Sequence, residues 1–226
     1  VFLQAGAYGL TFLLPRLFER FGADEKAVGV TLTVATISTL ITVYYAGHLC
    51  DWFGRVMTLA VACLSIAASM ALFSAATSMG ALPIAASLLL GAGWGLTYAL
   101  VPVVLTRLAK SEERVRYFAI NSVVLMAGFG LSPVMAAQIE KSGGLITHSF
   151  MIVAILSLIS AVLFFILVTP VGRYAVNPGP EASSRLNPSN VRRILRSRAV
   201  LPVIMVFIGA SVFAGMSNFQ TVFADA

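Results

Sequence analysis

Charged residues are scarce in this chain: only 11% of its 226 residues are Asp, Glu, Lys or Arg, whereas 59% are hydrophobic. Soluble domains carry roughly a quarter charged residues and under half apolar ones. A water-soluble domain is therefore a poor interpretation of this composition.

Cysteine and histidine are equally scarce, with two residues of each. Cys50 and Cys63 show no metal-ligand spacing and no disulfide framework, and His48 and His148 lie far apart. We expect no metal, cofactor or catalytic role for them. A membrane-embedded enzyme would need paired carboxylates or histidines near the interface, and none converge in the sequence, so we expect no enzyme.

The formal net charge of +6 raises nucleic acid as a partner. However, the basic residues lie in short stretches between long uncharged runs, and they form no single patch. That distribution excludes a nucleic-acid partner and indicates the loops of a membrane protein in a lipid bilayer.

Long uncharged runs are the main feature of the chain. A helix needs about 20 apolar residues to cross the hydrocarbon core of a bilayer. Seven candidate spans contain no Asp, Glu, Lys or Arg: Val1–Pro15, which looks clipped, Val28–Ala46, Met57–Ala75, Leu82–Leu105, Tyr117–Ala137, Ser149–Thr169 and Val200–Val222. The predicted fold class is an all-α membrane protein.

Basic residues predict the orientation, because cytoplasmic loops retain Lys and Arg. The even-numbered loops carry eleven of these residues and the odd-numbered loops four. The even loops and the N-terminus are then cytoplasmic. Seven-helix receptors and rhodopsins have the opposite orientation, and a retinal protein needs a lysine in its last span, whereas no lysine follows Lys141.

The segment between the second and third spans, residues 47–55, carries glycines and opposite charges. It resembles the signature loop of the major facilitator superfamily, roughly GxLxDxxGR, and its fixed positions are Gly47, Leu49, Asp51, Gly54 and Arg55. We expect a tight cytoplasmic turn with Asp51 at a helix N-terminus, where an anion is favoured. The resemblance implies a conformational switch formed chiefly by Asp51 and Arg55, and the plainer alternative is a helix-joining turn.

The fifth span is similar to the GxxxGPxxGG pattern of exporters in that superfamily. The corresponding residues are Gly128, Ser132, Pro133, Ala136 and Ala137, with three glycines replaced. The resemblance implies an exporter that exchanges substrate for protons, and ordinary small-residue packing is the alternative.

The fourth span contains Gly91, Gly93 and Gly95, similar to the superfamily element RxxxGxG, but Ser87 takes the expected arginine position. The resemblance ties that arginine to proton handling, so its loss puts coupling through this span in doubt.

Polar and aromatic residues at helical spacing mark candidate cavity faces. The resemblance implies a central cavity lined by the first, fourth, fifth and seventh spans. The candidates are Gln4, Tyr8, Thr11, Trp94, Tyr98, Asn121, Leu125 and Asn218. Each polar group could instead form a hydrogen bond to a neighbouring helix, and each such bond would contribute about 0.6 kcal/mol to stability. For Thr31, Ser38, Thr39 and Thr42 on the second span we expect packing only.

Superfamily members have two six-helix bundles, and the resemblance therefore implies that this sequence contains seven of twelve spans. We expect a six-helix bundle over residues 1–169, a cytoplasmic linker over 170–199 and the first helix of an incomplete C-terminal bundle over 200–226, from a truncated sequence. The implied function is a secondary transporter that exports a small amphipathic or apolar molecule from a bacterial cytoplasmic membrane, with protons as a candidate coupling ion. A transport-inactive sensor or accessory subunit is the alternative.

Overall fold

The computed structural model describes residues 2–175, with side chains through residue 169. Every regular element in this range is helical: α1 (Phe2–Leu10), α2 (Leu14–Arg20), α3 (Glu25–Phe53), α4 (Arg55–Ala75), α5 (Ala81–Leu108), α6 (Arg114–Lys141), α7 (Ile146–Ala175) and two 3₁₀ turns (Thr11–Leu13 and Ser111–Glu113). The predicted seventh span, most of the linker and Asn218 lie outside the described residues.

Five segments of the described chain are long and apolar enough to cross a membrane. They are Glu25–Phe53, Arg55–Ala75, Ala81–Leu108, Ser111–Lys141 and Ile146–Thr169. Each contains one of the predicted spans, from the second to the sixth, so those predictions are confirmed as apolar helices.

The first predicted span is a helix interrupted by a 3₁₀ turn. The uncharged run that predicts this span ends at Pro15, and the helix continues through α2 to Arg20. Proline lies in the first turn of α2, where its missing N–H has no intrahelical partner to lose. The bonds of the 3₁₀ turn let α1 and α2 follow each other without an intervening loop.

Helix α3 begins at a side-chain cap. The Asp24 carboxylate accepts a hydrogen bond from the backbone N–H of Ala27 at 2.9 Å, and Glu25 adds negative charge in the first turn. Helix α3 therefore begins at Glu25, three residues before the uncharged run that starts at Val28.

Helix α5 is held on two sides by hydroxyl groups from α3 and α4. The donors and their carbonyl acceptors are Ser38 to Leu88 (2.7 Å), Thr39 to Gly91 (3.0 Å), Ser65 to Leu89 (2.7 Å) and Ser69 to Ala86 (2.7 Å). Thr31 and Thr42 bond carbonyls of their own helix. These bonds agree with the packing role predicted for the α3 stripe.

Helices α1 and α6 run parallel and approach closely. The Ser132 hydroxyl on α6 donates to the backbone carbonyl of Gly6 on α1 at 2.5 Å. A Cβ atom built on Gly128 would lie 2.5 Å from the Cβ of Ala5, so glycine is required for this approach.

The buried core joins the helices at two levels. Near one end, Phe73 of α4 lies between Phe18 of α2 and Phe150 of α7, with ring centroids 6.0 and 5.9 Å apart. A second cluster joins α3, α4 and α5 and includes Leu59 and Leu100. At the first level, Glu140 forms exposed ion pairs with Arg20 and, at 3.7 Å, with Arg16. Such exposed pairs contribute little to stability, about 0–1 kcal/mol.

Candidate functional site

The segment that resembles the signature loop is mostly helical. Helix α3 runs through Phe53, α4 begins at Arg55, and only Gly54 between them departs from helical geometry, with φ +79° and ψ 153°. The predicted tight turn over residues 47–55 is therefore wrong in extent, since Gly47, Leu49 and Asp51 lie within α3. The bend is confined to one residue whose backbone angles are almost exclusive to glycine.

The predicted position of Asp51 at a helix N-terminus is also wrong. Asp51 is exposed in the last turn of α3, and the N-terminus of α4 follows only at Arg55. Sequence reasoning missed Thr58, whose hydroxyl donates to the carbonyls of Gly54 (2.8 Å) and Leu49 (3.3 Å). Buried Thr58 therefore fastens the start of α4 to the end of α3.

The exporter-like residues on α6 divide into two groups. Gly128, Ser132 and Ala136 are buried, and the first two contact α1 directly. Pro133 is half-buried within the continuous helix, and Ala137 is exposed. The described contacts are those of small-residue helix packing, which was the plainer interpretation of this pattern.

Helices α1, α5 and α6 line an open-sided cavity of about 380 Å³. The lining comes from Gln4 and Ala5 of α1, from Trp94, Thr97, Tyr98, Val101 and Pro102 of α5, and from Phe118, Asn121, Ser122, Leu125 and Met126 of α6. No charged residue is among these groups. A volume of this size lies within the range of small-molecule sites, about 300–1,000 Å³.

Aromatic rings form one wall of the cavity. Tyr8 stacks on Trp94 with ring centroids 4.0 Å apart and ring planes at 17°. Phe129 packs against both rings at 5.1 and 5.7 Å, and Tyr98 lies 6.2 Å from Trp94. Tyr98 is 62% exposed, whereas the other three rings are half-buried. Tyr8 and Phe129 thus pack against Trp94 without lining the cavity, whereas Trp94 and Tyr98 are among the lining groups.

The buried carboxamide of Gln4 is the most unusual polar group of the cavity. Gln4 is 1% exposed, and neither its Nε2 nor its Oε1 has a hydrogen-bond partner among the described residues. The Asn121 Oδ1 atom is likewise buried without a partner. Buried polar groups are usually hydrogen-bonded, so both side chains have unused bonding capacity at the cavity.

The structure brings most of the described cavity candidates together. Gln4, Trp94, Tyr98, Asn121 and Leu125 line the cavity, and Tyr8 supports Trp94. The hydroxyl of Thr11 instead donates to the backbone carbonyl of Tyr8 at 2.6 Å. Thr11 is therefore engaged with its own helix and is absent from the lining.

Sequence reasoning missed seven lining residues, Ala5, Thr97, Val101, Pro102, Phe118, Ser122 and Met126, and it also missed Phe129, which packs against Trp94. Helical spacing could have found Thr97 and Ser122, because each is polar and lies three residues from a predicted residue, Trp94 and Leu125 respectively, whereas the apolar lining residues carry no such signal. Ser87, at the expected arginine position, is buried and does not line the cavity.

Metal ligands are not grouped in the described part of the chain, where no set of three or more His, Cys, Asp or Glu residues could hold an ion. Uncharged polar groups and aromatic rings are suited to binding an organic molecule reversibly.

The Major Facilitator Superfamily family model matches residues 1–226. No curated protein matches the chain. The family match includes the cavity helices, the segment at Gly54 and the five apolar helices that could cross a membrane. Since this match spans the whole sequence, the chain is an integral multi-pass membrane protein and belongs to the Major Facilitator Superfamily of membrane transporters.

Proposed function

We propose that this transporter carries a small, uncharged amphipathic or apolar molecule by alternating access through the cavity between α1, α5 and α6. The observation that supports this most strongly is the cavity of about 380 Å³, with its aromatic wall and uncharged polar lining. A charged substrate would lack a compensating charge in this lining, and leaving a charge uncompensated within a membrane is costly.

The movement requires two bodies that rock around a midplane site. Close contact between α1 and α6 and the hydroxyl bonds around α5 support treating residues 1–169 as one such body. The proposed linker spans residues 170–199, of which residues 170–175 still belong to α7, and residues 200–226 are proposed as the first helix of the second bundle. Substrate then moves without covalent chemistry.

The conformational switch is proposed at Gly47, Leu49, Asp51, Gly54 and Arg55. Asp51 and Gly54 are exposed at one end of the bundle, away from the cavity lining. The exposed Asp51 carboxylate is placed to hold one conformation through contacts with another part of the protein, so its loss would affect the rate of transport more than substrate affinity.

Export with proton antiport is the proposed direction and coupling. The pattern of Gly128, Ser132 and Pro133 supports it through its similarity to exporters. Because the cavity lining in the described helices contains no carboxylate, the proton-carrying group of such an antiporter would lie elsewhere in the protein.

The proposed location is a bacterial cytoplasmic membrane with the N-terminus inside. The excess of basic residues in the even-numbered loops supports this orientation.

Reconstitution of the full-length protein in liposomes tests the proposal. A panel of neutral and cationic fluorescent dyes is followed under an imposed pH gradient, and we expect gradient-dependent flux of neutral dyes. Asp51→Asn should slow the flux while leaving dye binding unchanged. Glu112→Gln, which removes an exposed carboxylate from the 3₁₀ turn Ser111–Glu113, is the matched control and should leave flux unchanged.

The second candidate is a sensor or accessory subunit that binds a ligand without transporting it. The uncharged lining of the cavity favours this alternative, because it provides no group for ion coupling within the described helices. Saturable dye binding without flux under any gradient would support the sensor and contradict the transporter. Flux that is independent of the pH gradient would support the transport function but contradict coupling by proton antiport.

A further inference from the structure

Among the described residues, Gln4 has no hydrogen-bond partner that explains its burial. Both atoms of its carboxamide are buried without a hydrogen bond in the described part of the chain. Burial of an unpartnered amide is costly, so the Gln4 carboxamide carries bonding capacity that a bound group at the cavity would satisfy.

Helix packing does not account for Gln4. The contact between α1 and α6 depends on the hydroxyl of Ser132, which donates to Gly6, and on the close approach of Gly128 to Ala5. Ser38 and Ser69, which connect helices elsewhere, each have a carbonyl acceptor. Gln4 differs from these connecting groups because it is among the residues that line the cavity and its buried carboxamide hydrogen-bonds to no described helix.

The available atoms define the complementary chemistry. A carboxamide presents one acceptor oxygen beside an N–H donor, and Asn121 Oδ1 adds a further unpartnered acceptor at the same cavity. Trp94, Tyr98 and Phe118 supply flat aromatic surface in the lining. A ligand that satisfies both features is planar and carries adjacent N–H and C=O groups on one edge.

Resting on the transport function proposed above, we propose that Gln4 determines specificity for uncharged planar cyclic amides by pairing with their N–H and C=O edge. Their rings lie against the aromatic wall. An organic cation fits less well because the lining holds no carboxylate and because Tyr8 covers one face of Trp94. A site that hydrogen-bonds an N–H group binds an analogue that lacks this group more weakly.

Equilibrium binding of three related probes to the purified full-length protein tests this assignment. The probes are tritiated 2-quinolone, its N-methyl derivative, in which the donor is blocked, and the N-methylquinolinium cation. We expect the wild-type protein to bind 2-quinolone about tenfold more tightly than N-methyl-2-quinolone, the change that corresponds to one net hydrogen bond.

The Gln4→Leu variant should lose about tenfold in affinity for 2-quinolone and bind the N-methyl derivative as the wild type does. Binding of the N-methyl derivative thus reports whether the variant is folded. If Gln4→Leu binds neither probe, the ratio of the affinities for 2-quinolone and its N-methyl derivative is measured with Gln4→Met, whose unbranched side chain is closer in shape to glutamine. Ser157→Ala, which removes another buried unpartnered polar atom outside the cavity, is the matched control and should leave the ratio unchanged.

Equal affinities of the wild-type protein for 2-quinolone and its N-methyl derivative would overturn the inference, as would an unchanged ratio in both Gln4 variants or tighter binding of the cation. If the protein shows dye flux but does not bind 2-quinolone, the inference about cyclic amides would be overturned and the proposed transport function would stand. Gln4-dependent binding of 2-quinolone without flux of any compound would support the inference and contradict the proposed transport.

Discussion

Tyr8 and Trp94 stack face to face across the boundary of α1 and α5, with ring centroids 4.0 Å apart and ring planes at 17°. This contact joins the first and fourth spans directly at the cavity. The orientation of Trp94 therefore depends on a residue of another helix, and a change of Tyr8 should affect the site even though Tyr8 is not among the lining groups.

A double-mutant cycle on this pair should reveal direct coupling. We expect Tyr8→Leu and Trp94→Leu to be non-additive in the free energy of unfolding by about 0.5–1.5 kcal/mol, the usual contribution of an aromatic pair beyond its buried area. Unfolding of the full-length protein by SDS titration measures the coupling. Phe165→Leu, on α7, contributes nothing to the cavity lining and should be additive with Tyr8→Leu. Additivity of the Tyr8 and Trp94 changes would contradict the contact.

Two glycines on α6 allow the effect of close helix packing on stability to be distinguished from the effect of helix propensity. A Cβ on Gly128 would lie 2.9 Å from the carbonyl oxygen of Phe2, whereas a Cβ on Gly130 has no atom within 4 Å. We expect Gly128→Ala to destabilise the bundle by about 1–3 kcal/mol, as overpacking does. Gly130→Ala should be neutral or slightly stabilising, since alanine is the better helix former. Thermal unfolding of both variants is the measurement, and equal Tm values would contradict the close approach of α1 and α6.

The sequence predicted the cavity residues that combine a distinctive side chain with helical spacing. Gln4, Trp94 and Asn121 were identifiable because polar or aromatic groups are conspicuous in an apolar run. Phe129 and Val101 were not, because one apolar residue among many carries no local sign of what it contacts. Their positions depend on which helix packs against which, and that is determined by long-range contacts.

Helix ends were predicted less well than helix existence. The first span was ended at Pro15 because Arg16 closes the uncharged run, but Pro15 lies in the first turn of α2 and the helix continues to Arg20. Asp51 was placed at a helix N-terminus because glycine and charge suggested a turn from Gly47 onward. A helical glycine costs only about 1 kcal/mol, which the surrounding helix can absorb. Only Gly54, with its positive φ, ends α3.

Gly54 should be the sensitive position of the proposed switch. Any residue with a Cβ is strained at φ +79° and ψ 153°, so we expect Gly54→Ala to lower stability by about 1–3 kcal/mol. Gly47 is helical with open space around it in the described bundle, and Gly47→Ala should leave stability unchanged or raise it slightly. Tm values of the two variants in detergent give the comparison. A Gly54→Ala protein as stable as the wild type would show that the bend between α3 and α4 is not constrained as described.

Single cysteines at opposite ends of the bundle test the orientation on which the proposed cytoplasmic switch depends. Trp52 is 78% exposed beside Gly54, and Ser142 is exposed just after α6, at the other end. In a background that carries Cys50→Ser and Cys63→Ala, a membrane-impermeant maleimide should label Trp52→Cys only in inside-out vesicles. The Ser142→Cys variant should be labelled only in right-side-out vesicles. The reverse pattern would place the N-terminus outside and the Asp51 segment away from the cytosol. In that case the excess of Arg and Lys in the even-numbered loops would not have determined the topology, and the switch would have to respond to the external side.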